Sequence, residues 1–173
     1  DGTLRAVAGP DMVVLRCPVY LRSQNFRTEA TFTVAKGDSV PFVLSYEPSH
    51  LPLPEPVVAR EALADCEKFW RDWAGRTKAD GPHADAIRRS LITLKALTYA
   101  PSGGIVAAPT TSLPEHAGGP RNWDYRYCWI RDSTLTLLAL MNAGVYDEAA
   151  AWRDWLLRAV AGSPADMQIM YGI

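Results

Sequence analysis

The stretch RNWDYRYCWIRDSTLTLLAL, residues 121–140, joins a polar and aromatic segment directly to a run of apolar residues. The run LTLLALM at 135–141 is apolar around almost the whole circumference of a helix. We therefore predict a helix from about Asp132 to Ala143 that neighbouring helices cover on nearly every side. A buried helix of this kind indicates a mainly helical domain, and the aromatic segment leads straight into it.

Apolar residues recur at helical spacing in three other segments of the chain. They predict helices over Val58–Ala74, about His83–Tyr99 and about Asp147–Ala161. Three glycines follow predicted helices and favour a stop there: Gly75, Gly144 and Gly162. Residues 105–129, between the second and third helices, lack helix signals. A connection of this length inside a compact domain is usually functional.

The N-terminal part of the chain has a different texture, typical of β-strands. Apolar and polar residues alternate from Met12 to Leu44, and Lys36-Gly37-Asp38 supplies a turn. We predict two to four strands of an antiparallel sandwich here. Residues 48–57, PSHLPLPEPV, contain four prolines, which continue neither a strand ladder nor a helix. This segment is predicted to be a domain boundary.

The composition argues against several classes of partner. The chain of 173 residues has a net charge of −1 and a pI near 6.3, so it lacks the basic field that binds nucleic acid. Its longest apolar stretch is far shorter than the roughly 20 residues that cross a bilayer, so we expect no membrane span.

Three scattered cysteines without CxxC spacing favour reduced thiols, and hence a cytoplasmic location. We expect no metal and no cofactor. A leader, if the gene encodes one, precedes Asp1.

The aromatic segment has the chemistry of a sugar site. Sugars present flat C–H faces edged by hydroxyl groups, so a site for them needs aromatic faces and charged groups that form two hydrogen bonds at once. Arg131 and Asp132 supply the charged groups. The aromatic faces come from two tryptophans and two tyrosines: Trp123, Tyr125, Tyr127 and Trp129.

The same residues are also compatible with purely structural roles. Asp132 lies at the predicted start of a helix, where a carboxylate bonded only to backbone N–H groups is also favoured. Asp124 is as well explained as a partner of Arg121 or Arg126. The alternating aromatic residues are also compatible with the core of an extended strand. Signatures of other enzymes, GxSxG, HExxH and GxxxxGK[ST], are absent from the sequence.

Two segments closely resemble the start of the catalytic domain in glycoside hydrolase family 15, the glucoamylase-like enzymes, which also include some trehalases. They are GGIVAAPTTSLPE at 103–115 and the opening stretch at 121–140. The resemblance extends through VYDEAAAWRDWLLRAV at 145–160 to MQIMYGI at 167–173. It includes, more loosely, FWRDW at 69–73 and the β-rich opening.

The resemblance implies a mostly α fold with a β-rich N-terminal part. Residues 1–47 are expected to form the C-terminal part of a β-sandwich, and residues 48–80 a linker with a helix. Residues 81–173 are expected to form the first part of an (α/α)6 catalytic barrel. A twelve-helix barrel needs several hundred residues, so we expect the chain to be a portion of a longer protein.

The resemblance also implies a substrate and a mechanism. It assigns Tyr125, Trp129, Arg131 and Asp132 to the subsite that holds the glucose at the cleaved end. The reaction is inverting hydrolysis by two glutamates, which in the family lie later in the chain, so neither Glu115 nor Asp124 is assigned a catalytic role.

The leading expectation is release of glucose from the non-reducing ends of α-glucans. The alternatives are an α,α-trehalase of the same family and a non-catalytic carbohydrate-binding relative. The expected partner is therefore an oligosaccharide or a disaccharide. The sequence leaves the oligomeric state open.

Overall fold

The computed structural model describes residues 2–160 and 162–173, and the chain divides into two compact units, Asp1–Lys68 and Phe69–Ile173. The first unit is built on an antiparallel sheet in the order β1-β2-β5. Its strands are β1 (Gly2–Ala8), β2 (Asp11–Cys17) and β5 (Val43–Pro48). Met12 and Val14 are buried beneath this sheet, as the alternation of a half-buried strand requires.

The rest of the first unit departs from the predicted run of strands. Two short strands, β3 (Arg22–Gln24) and β4 (Arg27–Glu29), form a separate hairpin. Residues 30–42 contain the predicted turn, where Asp38 accepts a hydrogen bond from the backbone of Ala35 at 2.8 Å, but they form no strand. The alternation fails to produce strands here because no described strand pairs with these residues, and Phe32 and Phe42 pack against each other instead. The described strands of this unit are therefore antiparallel, as predicted, and β2, β3 and β4 fall in the predicted range, whereas β1 and most of β5 lie outside it.

The second unit is helical, and all four predicted helices are present. They are α1 (Ala59–Gly75), which begins in the first unit, α2 (Ala84–Ala96), α3 (Ile130–Asn142) and α4 (Asp147–Ala159). Ala161, the predicted end of the fourth helix, lies outside the described residues. A core of apolar side chains joins α1, α2 and α3 with the turn after α3: Trp73, Ala74, Leu91, Leu140, Ala143 and Val145.

Helix α3 begins two residues earlier than predicted. Its N-cap is Trp129, and the backbone N–H of Ile130 donates to the carbonyl of Ile169 at 3.0 Å. Asp132 therefore lies inside the first turn, and the reading of Asp132 as the N-cap is wrong. At the other end Gly144 has a φ of 82°, and the N–H groups of Gly144 and Val145 return to the last turn as in a Schellman motif.

The prediction that this helix is covered on nearly every side is not met in the described chain. Leu137 and Leu140 are buried, whereas Leu135 and Leu138 are 61% and 51% exposed. The run at 135–141 is apolar almost all round, but the described elements pack against one side of the helix. Its buried side is completed by Ser133 and Thr136.

Candidate functional site

The long connection before α3 folds back on itself as an irregular hairpin, residues 105–129, which we call the site hairpin. Four backbone hydrogen bonds of 2.7–3.1 Å join its two arms, from Ala107 to Tyr127, Ala108 to Tyr125, Ser112 to Trp123 and Glu115 to Arg121. Gly118, with a φ of 76°, lies in the tip that joins the arms. A segment without helix signals is thus ordered by its own backbone pairing.

Three aromatic rings of the second arm form one cluster beside the hairpin. The ring of Trp129 meets the ring of Tyr125 edge to face at 5.5 Å, and the ring of Trp123 at 6.5 Å. The indole N–H of Trp129 donates to the carbonyl of Asp124 at 2.8 Å. Trp123 is 42% exposed, and so is Tyr127, which lies outside the cluster, so the alternating aromatic residues are not the core of a strand. The buried residue of this segment is Cys128 instead.

A cavity of about 330 Å³ lies against this cluster. It brings together three of the four residues that the resemblance assigned to the glucose subsite, Tyr125, Trp129 and Arg131. Its remaining lining residues are Glu115, Trp123 and Ile169. A second cavity, of about 450 Å³, shares Trp129, Arg131 and Ile169 with the first.

Asp132, the fourth assigned residue, lines neither cavity but contacts Arg131, one of the three residues that line both. Its Oδ2 accepts a hydrogen bond from Nη2 of Arg131 at 3.0 Å. The carboxylate is 32% exposed and retains further lone pairs, while the guanidinium, 68% exposed, retains further N–H donors. The pair can therefore both accept and donate at the edge of the cavity.

The first turn of α3 is fixed to both arms of the site hairpin. The Ser133 hydroxyl donates to the carbonyl of Ile105 at 3.3 Å and contacts the thiol of Cys128 at 3.1 Å, with all three residues buried. Cys128 and Trp129 (β6) also pair with Met170 and Tyr171 (β7) in a short antiparallel ladder. Arg131 and Asp132 thus lie on a turn that several buried contacts hold in place.

Asp124 is held by Arg126, one of the two partners that the sequence suggested. The guanidinium of Arg126 donates to both carboxylate oxygens of Asp124, at 3.0 and 2.7 Å. These hydrogen bonds keep the pKa of Asp124 below its ordinary value and raise the pKa of Arg126. Arg121 lies near Glu115 instead, at 3.5 Å. The Asp124 carboxylate therefore serves as a hydrogen-bond acceptor within the site hairpin.

Sequence reasoning missed one residue of the cavity and undervalued another. Ile169 reaches the cavity through the pairing of β6 with β7, which joins segments about forty residues apart and leaves no local signal. Glu115 has no assigned role in the family pattern, yet it lines the cavity and accepts a hydrogen bond from Trp123. Glu115 lies on the arm opposite the aromatic residues, and the pairing of the two arms brings it within hydrogen-bond distance of Trp123.

The described residues provide no group of three His, Cys, Asp or Glu side chains arranged to hold a metal ion. The three cysteines are free thiols, with Cys17 and Cys128 buried and Cys66 exposed. Among the helices in the described part of the chain, none has the length and apolar character needed to span a membrane.

Aromatic faces beside a fixed guanidinium–carboxylate pair form the kind of site that proteins use for sugars. Comparison with known families agrees with this chemistry. Residues 81–173, more than half of the chain, match the family model of glycosyl hydrolases family 15, and the chain belongs to that family.

Three curated relatives show what the chain is similar to, and each of them is named trehalase. A trehalase of Mycolicibacterium smegmatis is 39% identical over 92% of this chain and 24% of its own length. A trehalase of Mycobacterium tuberculosis is 38% identical over 100% of this chain and 26% of its own length. A trehalase of Thermoplasma acidophilum is 43% identical over 60% of this chain and 18% of its own length. The chain thus spans about a quarter of the length of the first two relatives. No solved structure matches it significantly.

Proposed function

We propose that the chain is part of an inverting glycoside hydrolase that cleaves α,α-trehalose. The observation that carries the proposal is the single cavity that unites Tyr125, Trp129 and Arg131, with Asp132 bonded to the arginine. The names of the relatives favour trehalose over the α-glucans that the sequence alone put first. A cytoplasmic location belongs to the same proposal, and the free thiols support it.

The proposed role of the four residues is to hold the glucose unit at the cleaved end. The ring faces of Tyr125 and Trp129 cover apolar C–H groups of the sugar, and their mutual edge-to-face packing keeps them in place. Arg131 donates to hydroxyl oxygens and Asp132 accepts from hydroxyl protons. Because each charged group already binds the other, little side-chain freedom is lost when the sugar arrives.

Hydrolysis itself requires groups other than these four. Inversion needs a carboxylic acid that protonates the glycosidic oxygen and a carboxylate that activates water, about 6.5–9.5 Å apart. The resemblance assigns these roles to two glutamates later in the chain of family members. We assign neither role to Glu115, which accepts from Trp123, nor to Asp124, which is engaged by Arg126.

The proposed architecture follows the family pattern. Residues 1–47 form the C-terminal part of a β-sandwich, residues 48–80 a linker with a helix, and residues 81–173 the first part of an (α/α)6 barrel. The antiparallel sheet β1-β2-β5 and the four helices support this division. The exposed leucines of α3 are then a face for further barrel helices, which agrees with the small share of the relatives' length that the chain covers.

The test of the proposed function is a comparison of two disaccharides. We expect the full-length protein to release glucose from α,α-trehalose with a kcat/KM at least about 10-fold above that for maltose, since selectivity lies in the subsite beyond the shared terminal glucose. Glucose release is measured for both sugars with one enzyme preparation. A preference for maltose and longer α-glucans would favour the glucoamylase reading, and binding without hydrolysis of either would favour the carbohydrate-binding relative.

A further inference from the structure

Glu115 lies in the same cavity as Arg131, on the opposite arm of the site hairpin from the aromatic residues. Its Oε1 accepts a hydrogen bond from the indole N–H of Trp123 at 3.0 Å. Its Oε2 is 3.5 Å from the guanidinium of Arg121, but that arginine is 72% exposed, so the ion pair contributes little. The hydrogen bond to Trp123 is therefore the specific contact of this carboxylate.

The indole of Trp123 makes a single hydrogen bond, and it goes to Glu115. An indole has one hydrogen-bond donor, and in Trp123 that donor is used on Glu115. Because the side chain is 42% exposed, packing encloses it on only part of its surface. Its ring meets the ring of Trp129 at 79° between their planes, and Trp129 is tied on its other edge to the carbonyl of Asp124. Both tryptophans of the cavity wall are thus fixed by one indole hydrogen bond each and by contact with the other.

We propose that Glu115 is a positioning residue, which holds Trp123 against Trp129 and so fixes the aromatic wall of the cavity. That the sugar in contact with this wall is trehalose rests on the proposed function. A wall that contacts the sugar equally before and during the reaction changes KM more than kcat. Glu115 acts through Trp123 in this proposal and is not a catalytic residue.

The rival explanation is that the Glu115 carboxylate itself binds the sugar, and glutamine separates the two roles. An amide oxygen accepts a hydrogen bond from an indole as a carboxylate oxygen does, but it carries no charge. Glu115→Gln therefore keeps the positioning contact and loses the charge. Glu115→Ala and Trp123→Phe each remove the positioning contact, one from each side.

The experiment is a double-mutant cycle in the full-length protein, with trehalose as substrate. We expect Glu115→Ala and Trp123→Phe each to raise KM about 5-fold with kcat changed less than about 2-fold. The double variant is expected to be no worse than either single variant, because both changes break the same contact. For Glu115→Gln we expect a KM within about 2-fold of the wild-type value. A glutamine variant as impaired as the alanine variant, or a double variant with the product of the two single effects, would overturn the proposal.

A second readout does not require hydrolysis. With the protein labelled with 5-fluorotryptophan, the ¹⁹F resonance of Trp123 is identified by its loss in Trp123→Phe. We expect that resonance to move or broaden in Glu115→Ala and to stay near its wild-type position in Glu115→Gln. An unmoved resonance in a folded alanine variant would refute the positioning role. If the wild-type protein cleaves neither trehalose nor maltose, the proposed function fails and the fluorine spectra still decide the role of Glu115.

Discussion

Replacement of Asp132 by asparagine in the full-length protein is expected to lower kcat/KM for trehalose about 100-fold or more while the fold stays intact. A desolvated carboxylate that accepts from sugar hydroxyls forms charge-assisted hydrogen bonds, and 100-fold corresponds to about 2.7 kcal/mol. The substitution also removes the charge that holds the guanidinium of Arg131 at the edge of the cavity. Both effects act on the bound sugar. Glucose release and the melting temperature are measured on the same preparation.

The chain contains a matched control for this substitution. Arg153 and Asp154 on α4 are also adjacent in sequence and also form an ion pair, at 2.8 Å, but line none of the site cavities described above. Their arginine is 68% exposed, as Arg131 is. Asp154→Asn is expected to change kcat/KM less than about 2-fold, because an exposed pair contributes little. Unchanged kinetics in Asp132→Asn, or equal losses in both variants, would refute the role assigned to Asp132.

A second large effect is expected at Glu148, which lies buried where three helices meet. Its Oε1 accepts from the indole of Trp73 on α1 at 2.9 Å and lies 2.8 Å from the ammonium of Lys95 on α2. Glu148 itself is on α4 and only 3% exposed. One carboxylate oxygen therefore joins three helices through a charge and a hydrogen bond in a site with little water.

Glu148→Ala is expected to destabilise the second unit by about 3–5 kcal/mol, because it leaves the Lys95 ammonium and the Trp73 indole without their partner. The neighbouring Asp147 is the control. It also carries a carboxylate on α4, but its side chain is 78% exposed and pairs with Arg76 at the surface. Asp147→Asn should cost no more than about 1 kcal/mol. Thermal unfolding of the full-length variants measures the difference. Equal melting temperatures for the two variants would show that the buried pair contributes no more than a surface one.

The contribution of Glu148 also has a defined pH dependence. Burial alone raises the pKa of Glu148, but the hydrogen bonds from Lys95 and Trp73 outweigh burial and hold the pKa below its ordinary value of 4.5. A pKa that is lower in the folded state stabilises the protein fully above the unfolded value, and this stabilisation is lost as the pH falls through the folded value. In Glu148→Gln that part of the acid sensitivity is expected to be absent.

The helices were predictable because their signals are local. The apolar run at 135–141 and the glycine at 144 located α3, and its C-terminus follows the Schellman pattern. Its start was misplaced because the capping partner of Ile130 is the carbonyl of Ile169, far along the chain. The strand prediction over residues 30–42 failed for a related reason. Alternation indicates that a segment is suited to a sheet, but a strand also needs a partner in register.

The residue types of the candidate site pointed to sugar binding from the sequence alone, and that role stays a prediction. The contacts of these residues were less predictable. Arg131 and the aromatic residues were recognisable from their chemistry and from the family pattern. The contact between Glu115 and Trp123 depends on the pairing of the two hairpin arms, which no periodicity reveals. Glu148 had no sequence signal as a buried residue, because a glutamate in the first turn of a helix is ordinarily explained by the helix dipole. Its partners come from two other helices.

The most direct test of the central claim is a crystal structure of the full-length protein with a glucose-configured iminosugar. We expect the inhibitor ring to lie against Trp129 and its hydroxyl groups to be about 2.6–3.2 Å from the Asp132 carboxylate and the Arg131 guanidinium. An inhibitor bound at another place, with Asp132 still bonded only to Arg131, would contradict it.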